Sequence, residues 1–435
     1  MKNIVVALDI GTTKVCAIAG CLNEHGQLEI LGVGKVDSVG VSRGVVANIE
    51  KTVKVISDAV ADVERRAKIN VKVVHVGIAG QHIKSLQHRG ILTREHSIDE
   101  ISRTDITRLI GDMHKLVLPP GDKIIHVIPQ EFTIDNEQGI IDPIGMSGVR
   151  LEANFHIITG QITASKNIYK CVERSGFEVG SLTLEPIASS QSVLSDEEME
   201  AGVALVDIGG GTTDLAIFYE GIIRHTAVIP FGGNVITKDI KEGCNVMQNQ
   251  AEQLKVKFGS ALADEVFDNR IITIPGLKGR EPKEISEKNL ARIIQARVEE
   301  IFDHVFWEIR RSGFERKLMA GGIVLTGGGA LLAHIEKLAA YHTGMPTRIG
   351  SPVEHLAHGY AQDLSSPIYS TALGLILKGL KEMPPAEEEV KAEQVVTEEN
   401  GALQESNAEL KSGKWYEELF RKTKEWFEAE PDTDF

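Results

Sequence analysis

Cysteine is scarce and unpatterned in this chain: four residues among 435, Cys16, Cys21, Cys171 and Cys244, with no CxxC spacing. That density excludes a disulfide framework and suits a reducing compartment. Long apolar runs are missing as well. No stretch approaches the roughly 20 apolar residues of a membrane-spanning helix. The opening MKNIVVALDIG has one lysine and an apolar run broken by Asp9, unlike a secretory signal, so a cytosolic body is expected. An excess of positive charge is also lacking. A net charge of −15 argues against a surface built for nucleic acid, and no nucleic-acid partner is expected. The 14 histidines, His75, His82 and His88 among them, show no metal-site spacing and read as scattered core and surface residues.

What the chain has is a device used twice. VVALDIGTTKVCAIAG (Val5 to Gly20) and VALVDIGGGTTDLAIF (Val203 to Phe218) each give an apolar run, an aspartate, a glycine–threonine turn and a second apolar run. Around the first copy, residues 3–9, 13–19 and 28–36 read as strands, with Cys16 and Cys21 on or just after the second. Asn48 then caps a helix through Ala67 whose core stripe is Ile49, Val53, Ile56, Val60 and Val63. A further strand begins at Val71. Around the second copy, 202–208, 212–219 and 222–229 read as strands, followed by helical segments from about 233. Later, GGIVLTGGGALLAHIEKL reads as strand, triple glycine, helix. A meander feeding a crossover helix, present twice in 435 residues, predicts two α/β halves around a cleft. Residues 83–160 do not repeat and read as an inserted α+β unit, with a helix opened by Ser97 and Glu100 in capping-box spacing. Residues 231–300, rich in helical pattern, form a second non-repeating stretch.

The chemistry of the device follows from its residue types. Glycine lets the backbone approach an anion closely, and turn amides with threonine hydroxyls supply donors for phosphate oxygens. Asp9 and Asp207, at strand ends, suit Mg²⁺ held through water, since magnesium prefers hard oxygen ligands and keeps much of its hydration. Lys14 adds a positive charge that Asp214, read as its counterpart, cannot. One copy alone is compatible with a plain glycine turn. Two copies, with Gly327, Gly328 and Gly329 between a strand and a helix, point to a phosphate-binding cleft.

This constellation resembles the actin, Hsp70 and sugar-kinase superfamily. The resemblance implies an actin-like α/β fold in which two ribonuclease-H-like halves clamp ATP and Mg²⁺ between paired turns. The first turn would be Asp9, Gly11, Thr12, Thr13 and Lys14. The second would be Asp207, Gly209, Gly210, Gly211, Thr212 and Thr213, with Gly327–Gly329 against the adenosine. It implies that Glu185 positions water, and that Gly232, Gly233, Glu252 and Lys255 lie near the sugar and base. An E-x-x-K pair is equally an ordinary solvated helix pair. Within the superfamily, Ile128 to Gly160, and GMSGVRLEA above all, resemble the subdomain distinctive of the FtsA family of bacterial cell-division proteins. The likeness runs from residue 1 to about 380.

The FtsA resemblance implies the following organisation. Residues 1–82 and 161–200, with 365–380 returning, make the first half, and 83–160 the inserted subdomain. Residues 201–230 and 301–364 make the upper second half, and 231–300 its lower subdomain. The implied partners are copies of the chain itself in filaments, later division proteins on the insertion, and the C-terminal peptide of the ring protein FtsZ near Arg297 and Glu300. A surface helix rich in Arg and Glu is otherwise simply solvated. The implied enzyme activity is at most slow ATP hydrolysis. The rival readings are a metabolite kinase of the same superfamily and a pilus-assembly relative.

The last stretch carries its own argument. Residues 381–413 hold nine Glu, three Lys and no aromatic residue, the composition of a disordered linker, with a typical span of ~30 Å. In the following 414–428, Trp415, Tyr416, Leu419, Phe420, Trp426 and Phe427 fall within one helical arc of about 140°. This reads as an amphipathic helix for an anionic membrane surface. Residues 411–428 carry an excess of only one positive charge, so aromatic burial would dominate and several helices in a filament would add avidity. The alternative is a tail helix that docks on a protein groove. The expected location is the cytoplasmic face of the membrane at the division site.

Overall fold

The computed structural model describes residues 3–94, 100–267, 270–276, 281–357 and 362–383. The linker and tail-helix readings therefore lie outside the described residues. The chain opens with an antiparallel meander, β1 (Val5–Ile10), β2 (Lys14–Leu22) and β3 (Leu28–Asp37). A two-residue hairpin, β4 (Val41–Ser42) and β5 (Val45–Val46), precedes α1 (Ile49–Ala67). Asn48 caps α1 as read, its side chain accepting from the Lys51 amide. β6 (Val73–Ile78) then returns parallel to β1.

The chain next leaves this sheet for a second one: β7 (Lys84–Thr93), α2 (Arg103–His114), β8 (Asp122–Ile134), β9 (Glu137–Ile140) and β10 (Arg150–Gln161). Its antiparallel order is β7-β10-β8-β9, and α2 covers one face through Ile106, Leu109, Ile110 and Met113. The cap of α2 differs from the sequence reading. Ser102 and Asp105 form the capping box, directly before the apolar periodicity begins. Glu100 instead bridges to Ser147, and Ser97 lies outside the described residues. The chain re-enters the first sheet through α3 (Ile162–Arg174) and β11 (Glu178–Leu184), followed by α4 (Glu185–Val193) and α5 (Asp196–Ala201).

The second half repeats the first. β12 (Val203–Ile208), β13 (Thr213–Tyr219) and β14 (Ile222–Ile229) form the meander, followed by α6 (Gly233–Gly243) and α7 (Gln248–Phe258). A small hairpin, β15 (Ile271–Ile274) and β16 (Lys283–Ser286), precedes the 26-residue α8 (Glu287–Ser312). β17 (Ile323–Thr326), α9 (Ile335–Thr343), β18 (Thr347–Ile349) and α10 (Ser370–Glu382) complete the described chain. The hairpin was not legible as such, because four-residue strands in a helix-rich stretch give almost no period. The sheet orders are β3-β2-β1-β6-β11 and β14-β13-β12-β17-β18, strand for strand the same topology.

Burial on both faces explains the unbroken apolar runs of β1, β12 and β17. The first sheet is covered on one face by α1 and α3 (Ile56, Val60, Val63, Ile168, Val172). On the other it is covered by α10 (Leu373, Leu375, Ile376). α1 approaches so closely that a Cβ on Gly34 would stand 1.9 Å from the Ala59 carbonyl oxygen. The inserted sheet lies against the second half as well. Ser85 donates to the Thr226 carbonyl (2.9 Å), Gln87 to Arg224 (3.2 Å) and Gln130 to Ile223 (3.0 Å), all main-chain acceptors of β14. His156 bonds Thr226 at 3.1 Å.

Two glycine-to-alanine changes should act in opposite directions. Gly34→Ala overpacks the β3–α1 contact and costs about 1–3 kcal/mol. Gly111, inside α2, has open space around its Cα, so Gly111→Ala adds about 0.5–1 kcal/mol. Thermal unfolding of the two variants should show a fall and a rise in apparent Tm.

Candidate functional site

The two glycine turns join equivalent strand pairs and have equal length. The β1–β2 ladder closes at Ile10 opposite Val15, and the β12–β13 ladder at Ile208 opposite Thr213, leaving four residues in each turn. This register corrects one reading. Asp214 lies opposite Asp207 as Cys16 lies opposite Asp9, so its counterpart is Cys16, not Lys14. The doubled threonine misleads because the second turn carries its glycines before it. The second half thus buries two facing aspartates where the first buries an aspartate and a thiol.

The turns touch. A Cβ on Gly210 would lie 2.3 Å from Thr13 Cγ2, and one on Gly211 would lie 2.6 Å from Thr12 Oγ1. Only glycine permits this approach, which brings Gly11–Lys14 and Gly209–Thr212 into a single constellation. Gly233 and Asn234 donate their amides to the Gly209 and Gly210 carbonyls (2.9 and 2.8 Å), seating the N-terminus of α6 on the second turn. Gly327 has φ +81°, and a Cβ there would stand 2.2 Å from Asp207 Oδ1. The Gly327–Gly329 turn is thereby packed against the end of β12; Gly328 opens a short 3₁₀ turn, and α9 starts only at Ile335. Glu252 and Lys255 are more than a solvated pair. Lys255 Nζ reaches Glu252 (2.8 Å), Thr237 Oγ1 (2.8 Å) and the Gly233 carbonyl (3.0 Å), tying α7 to the start of α6.

Beneath the turns is a carboxylate cluster. Lys14 pairs with Asp9. Asp207 accepts from Ser189 (2.9 Å) and Thr371 (3.4 Å), and Asp214 Oδ2 accepts from Thr212 (2.9 Å). Asp214 Oδ1 is buried without a hydrogen-bond partner. Burial raises the Asp214 carboxyl to about 7, and the neighbouring Asp207 adds to the effect. Asp207 is raised by burial, offset in part by the Ser189 hydroxyl. Glu185, half-buried at the start of α4, is pushed well above the usual range by burial and then by Asp9, Asp214 and Asp207. Burial alone would lower Lys14, but Asp9 beside it holds the ammonium above its ordinary value.

Ser189 and Thr371 were not singled out from sequence. Ser189 follows Glu185 by one helical turn on α4, so both reach the cleft, a spacing visible in LEPIASSQ. Thr371 comes from a distant helix and left no signal. Arg297 and Glu300 lie apart from the turns on α8, where Arg297 pairs with both Glu300 and Asp239 of α6. Among the described residues no three His, Cys, Asp or Glu side chains form a ready metal site, and no helix is long and apolar enough to cross a membrane.

Two matching sheets whose glycine turns meet define the actin-like class of α/β fold, here with an added sheet. Solved structures agree. A PilM-PilN type IV pilus biogenesis complex is similar with a TM-score of 0.64 at 14% identity, covering 86% of this chain and 98% of that one. MreB5 of Spiroplasma citri bound to ADP gives 0.53 at 18% identity, covering 86% and 94%. A family profile described as "Cell division protein FtsA" matches residues 204–374, and one described as "SHS2 domain inserted in FTSA" matches 80–159. Curated FtsA proteins of Pseudomonas aeruginosa (43% identity, 87% of this chain and 89% of the relative) and Escherichia coli (38%, 89% and 93%) align over most of the length. The chain belongs to the FtsA family and is a cell-division protein.

The carboxylate cluster has a pH consequence. Between the ordinary 3.8 and about 7, the folded Asp214 keeps a proton that the unfolded chain has released. Stability contributed by that proton is fully present below 3.8, is lost as pH rises through about 7, by up to about 4 kcal/mol over that whole interval, and levels off above it. In EDTA without nucleotide, apparent Tm should fall from pH 5.5 to 8, and Asp214→Asn should flatten that fall.

Proposed function

We propose that the chain binds Mg-ATP between its two glycine turns, assembles into filaments, and tethers FtsZ filaments to the cytoplasmic face of the membrane at the division site. The observation that carries the nucleotide reading is the contact of the two turns above four carboxylates and one lysine. The amides of Gly11–Thr13, Gly210 and Gly211 and the hydroxyls of Thr12 and Thr13 are donors suited to phosphate oxygens, whereas the Gly209 amide and the Thr212 and Thr213 hydroxyls donate within the protein, to Thr212, Asp214 and Phe231. The partnerless Asp214 Oδ1 and the surplus of carboxylates fit a site completed by a cation. Asp9 and Asp207 would hold magnesium through water, and the metal would supply charge neutralisation of the phosphates. Gly327–Gly329, Gly232, Gly233 and Lys255 would form the nucleoside end.

Glu185 is the residue for orienting water, and hydrolysis would be slow at most. Closure of the halves on nucleotide would favour assembly. The FtsZ C-terminal peptide would bind along α8 near Arg297 and Glu300, exchanging its own charges into the Arg297–Asp239–Glu300 network. The inserted sheet would contact neighbouring copies and later division proteins. Trp415, Tyr416, Leu419, Phe420, Trp426 and Phe427, outside the described residues, would enter the anionic membrane surface.

Liposome co-sedimentation tests the tether. The intact chain should carry FtsZ filaments to lipid, and a chain ending at Gly413 should leave them in the supernatant. FtsZ still pelleting with lipid in the truncated sample would remove the tail from the reading. Phosphate transfer to a panel of sugars well above background would instead favour the kinase alternative.

A further inference from the structure

The β4–β5 hairpin turns through Arg43 and Gly44 alone, since Ser42 pairs with Val45. Both central residues have positive φ, +49° at Arg43 and +74° at Gly44. That is the two-residue turn for which Asn-Gly or Asp-Gly is the relaxed choice, and a long side chain in the first position is conformationally costly. An unfavourable backbone kept at a tight turn is grounds for asking what the side chain does.

The position of the turn supplies an answer. The Gly44 amide donates to Thr12 Oγ1 at 3.0 Å. The Thr12 hydroxyl therefore accepts from the hairpin, which leaves its O–H as a donor. A Cβ on Gly211 would lie 2.7 Å from Arg43 Cα. Arg43 is thus anchored against both glycine turns at once. Its side chain is exposed, and its guanidinium has no ion pair or hydrogen bond among the described residues. Lys14, by contrast, is already engaged by Asp9.

The two ends of the second turn differ. Gly232 packs where the turn joins its strands, a Cβ there standing 2.6 Å from the Gly209 and 2.9 Å from the Thr212 carbonyl oxygen, and the Gly327 turn packs on the adjoining end of β12, which together form the nucleoside side of the proposed site. The turn's Gly211 end carries Arg43. We propose that Arg43 is the ligand for the terminal phosphate of the bound nucleotide, distinguishing triphosphate from diphosphate; this rests on the nucleotide reading above. A planar guanidinium suits a phosphate through paired charge-assisted hydrogen bonds.

The same turn faces the inserted sheet's point of departure. A Cβ on Gly44 would stand 2.9 Å from Gly80 Cα, and one on Gly80, at φ +121°, would stand 3.3 Å from the Arg43 carbonyl oxygen. Gly80 begins the passage to β7, with Ile83 donating to its carbonyl at 3.1 Å. A phosphate that draws on Arg43 therefore also pulls on the backbone that leads into the insertion.

The test uses the full chain and fluorescent ATP and ADP analogues with Mg²⁺. Arg43→Asn should weaken ATP roughly ten- to hundredfold, leave ADP nearly unchanged, and leave Tm equal or higher because the turn is relaxed. Arg43→Lys should recover part of the ATP affinity. Hydrogen exchange over residues 79–84 should differ between ATP and ADP in the parent chain and not in Arg43→Asn. Equal loss of both nucleotides, or no loss of either, would overturn the assignment. A parent chain that binds neither nucleotide would overturn the site reading itself, a result separable from the others.

Discussion

Contact between the two glycine turns is the constraint on which the rest of the fold depends. Thr13 meets Gly210 and Thr12 meets Gly211 with no room for a Cβ on the second partner. The two sheets must therefore present their first strands end to end, and their crossover helices must pack on the outside. The meander order β3-β2-β1 and its counterpart β14-β13-β12 achieve this, because each places the turn-bearing strand pair beside a parallel strand at the centre of its sheet. α4 and α10 then fill the space between the halves, carrying Ser189 and Thr371 to Asp207.

Such a contact concentrates charge. Asp9, Asp207, Asp214 and Glu185 converge because strand ends and a helix start meet at one point, and Lys14 offsets only part of the field. Burial raises Asp214, Asp207 and Glu185 together, so the cluster holds its protons more tightly than exposed carboxylates do. The electrostatics and the steric closeness are two results of one packing decision.

The sequence made much of this legible. Strand starts, the Asn48 cap and the repeated device were readable because apolar period and turn chemistry are local properties. The family was readable because GMSGVRLEA is long and specific. Register was not: the doubled threonine suggested Lys14 as the counterpart of Asp214, and only the ladders show Cys16 in that position. The Ser102 cap was missed in favour of an earlier serine because the capping signal recurs within a few residues. Thr371 and the β4–β5 turn were invisible, since their roles come from contacts between distant segments.

The seam between the inserted sheet and β14 behaves differently from the rest. Three of its bonds run from Ser85, Gln87 and Gln130 to main-chain carbonyls of β14. Every residue type has such a carbonyl, so β14 can change its side chain at Ile223 and still offer the same acceptor there. The insertion is in that sense portable: a domain that brings its own serine and glutamines can be seated on a diverged neighbour. Descent can then remodel the outer face of the insertion for new partners without renegotiating how it is held.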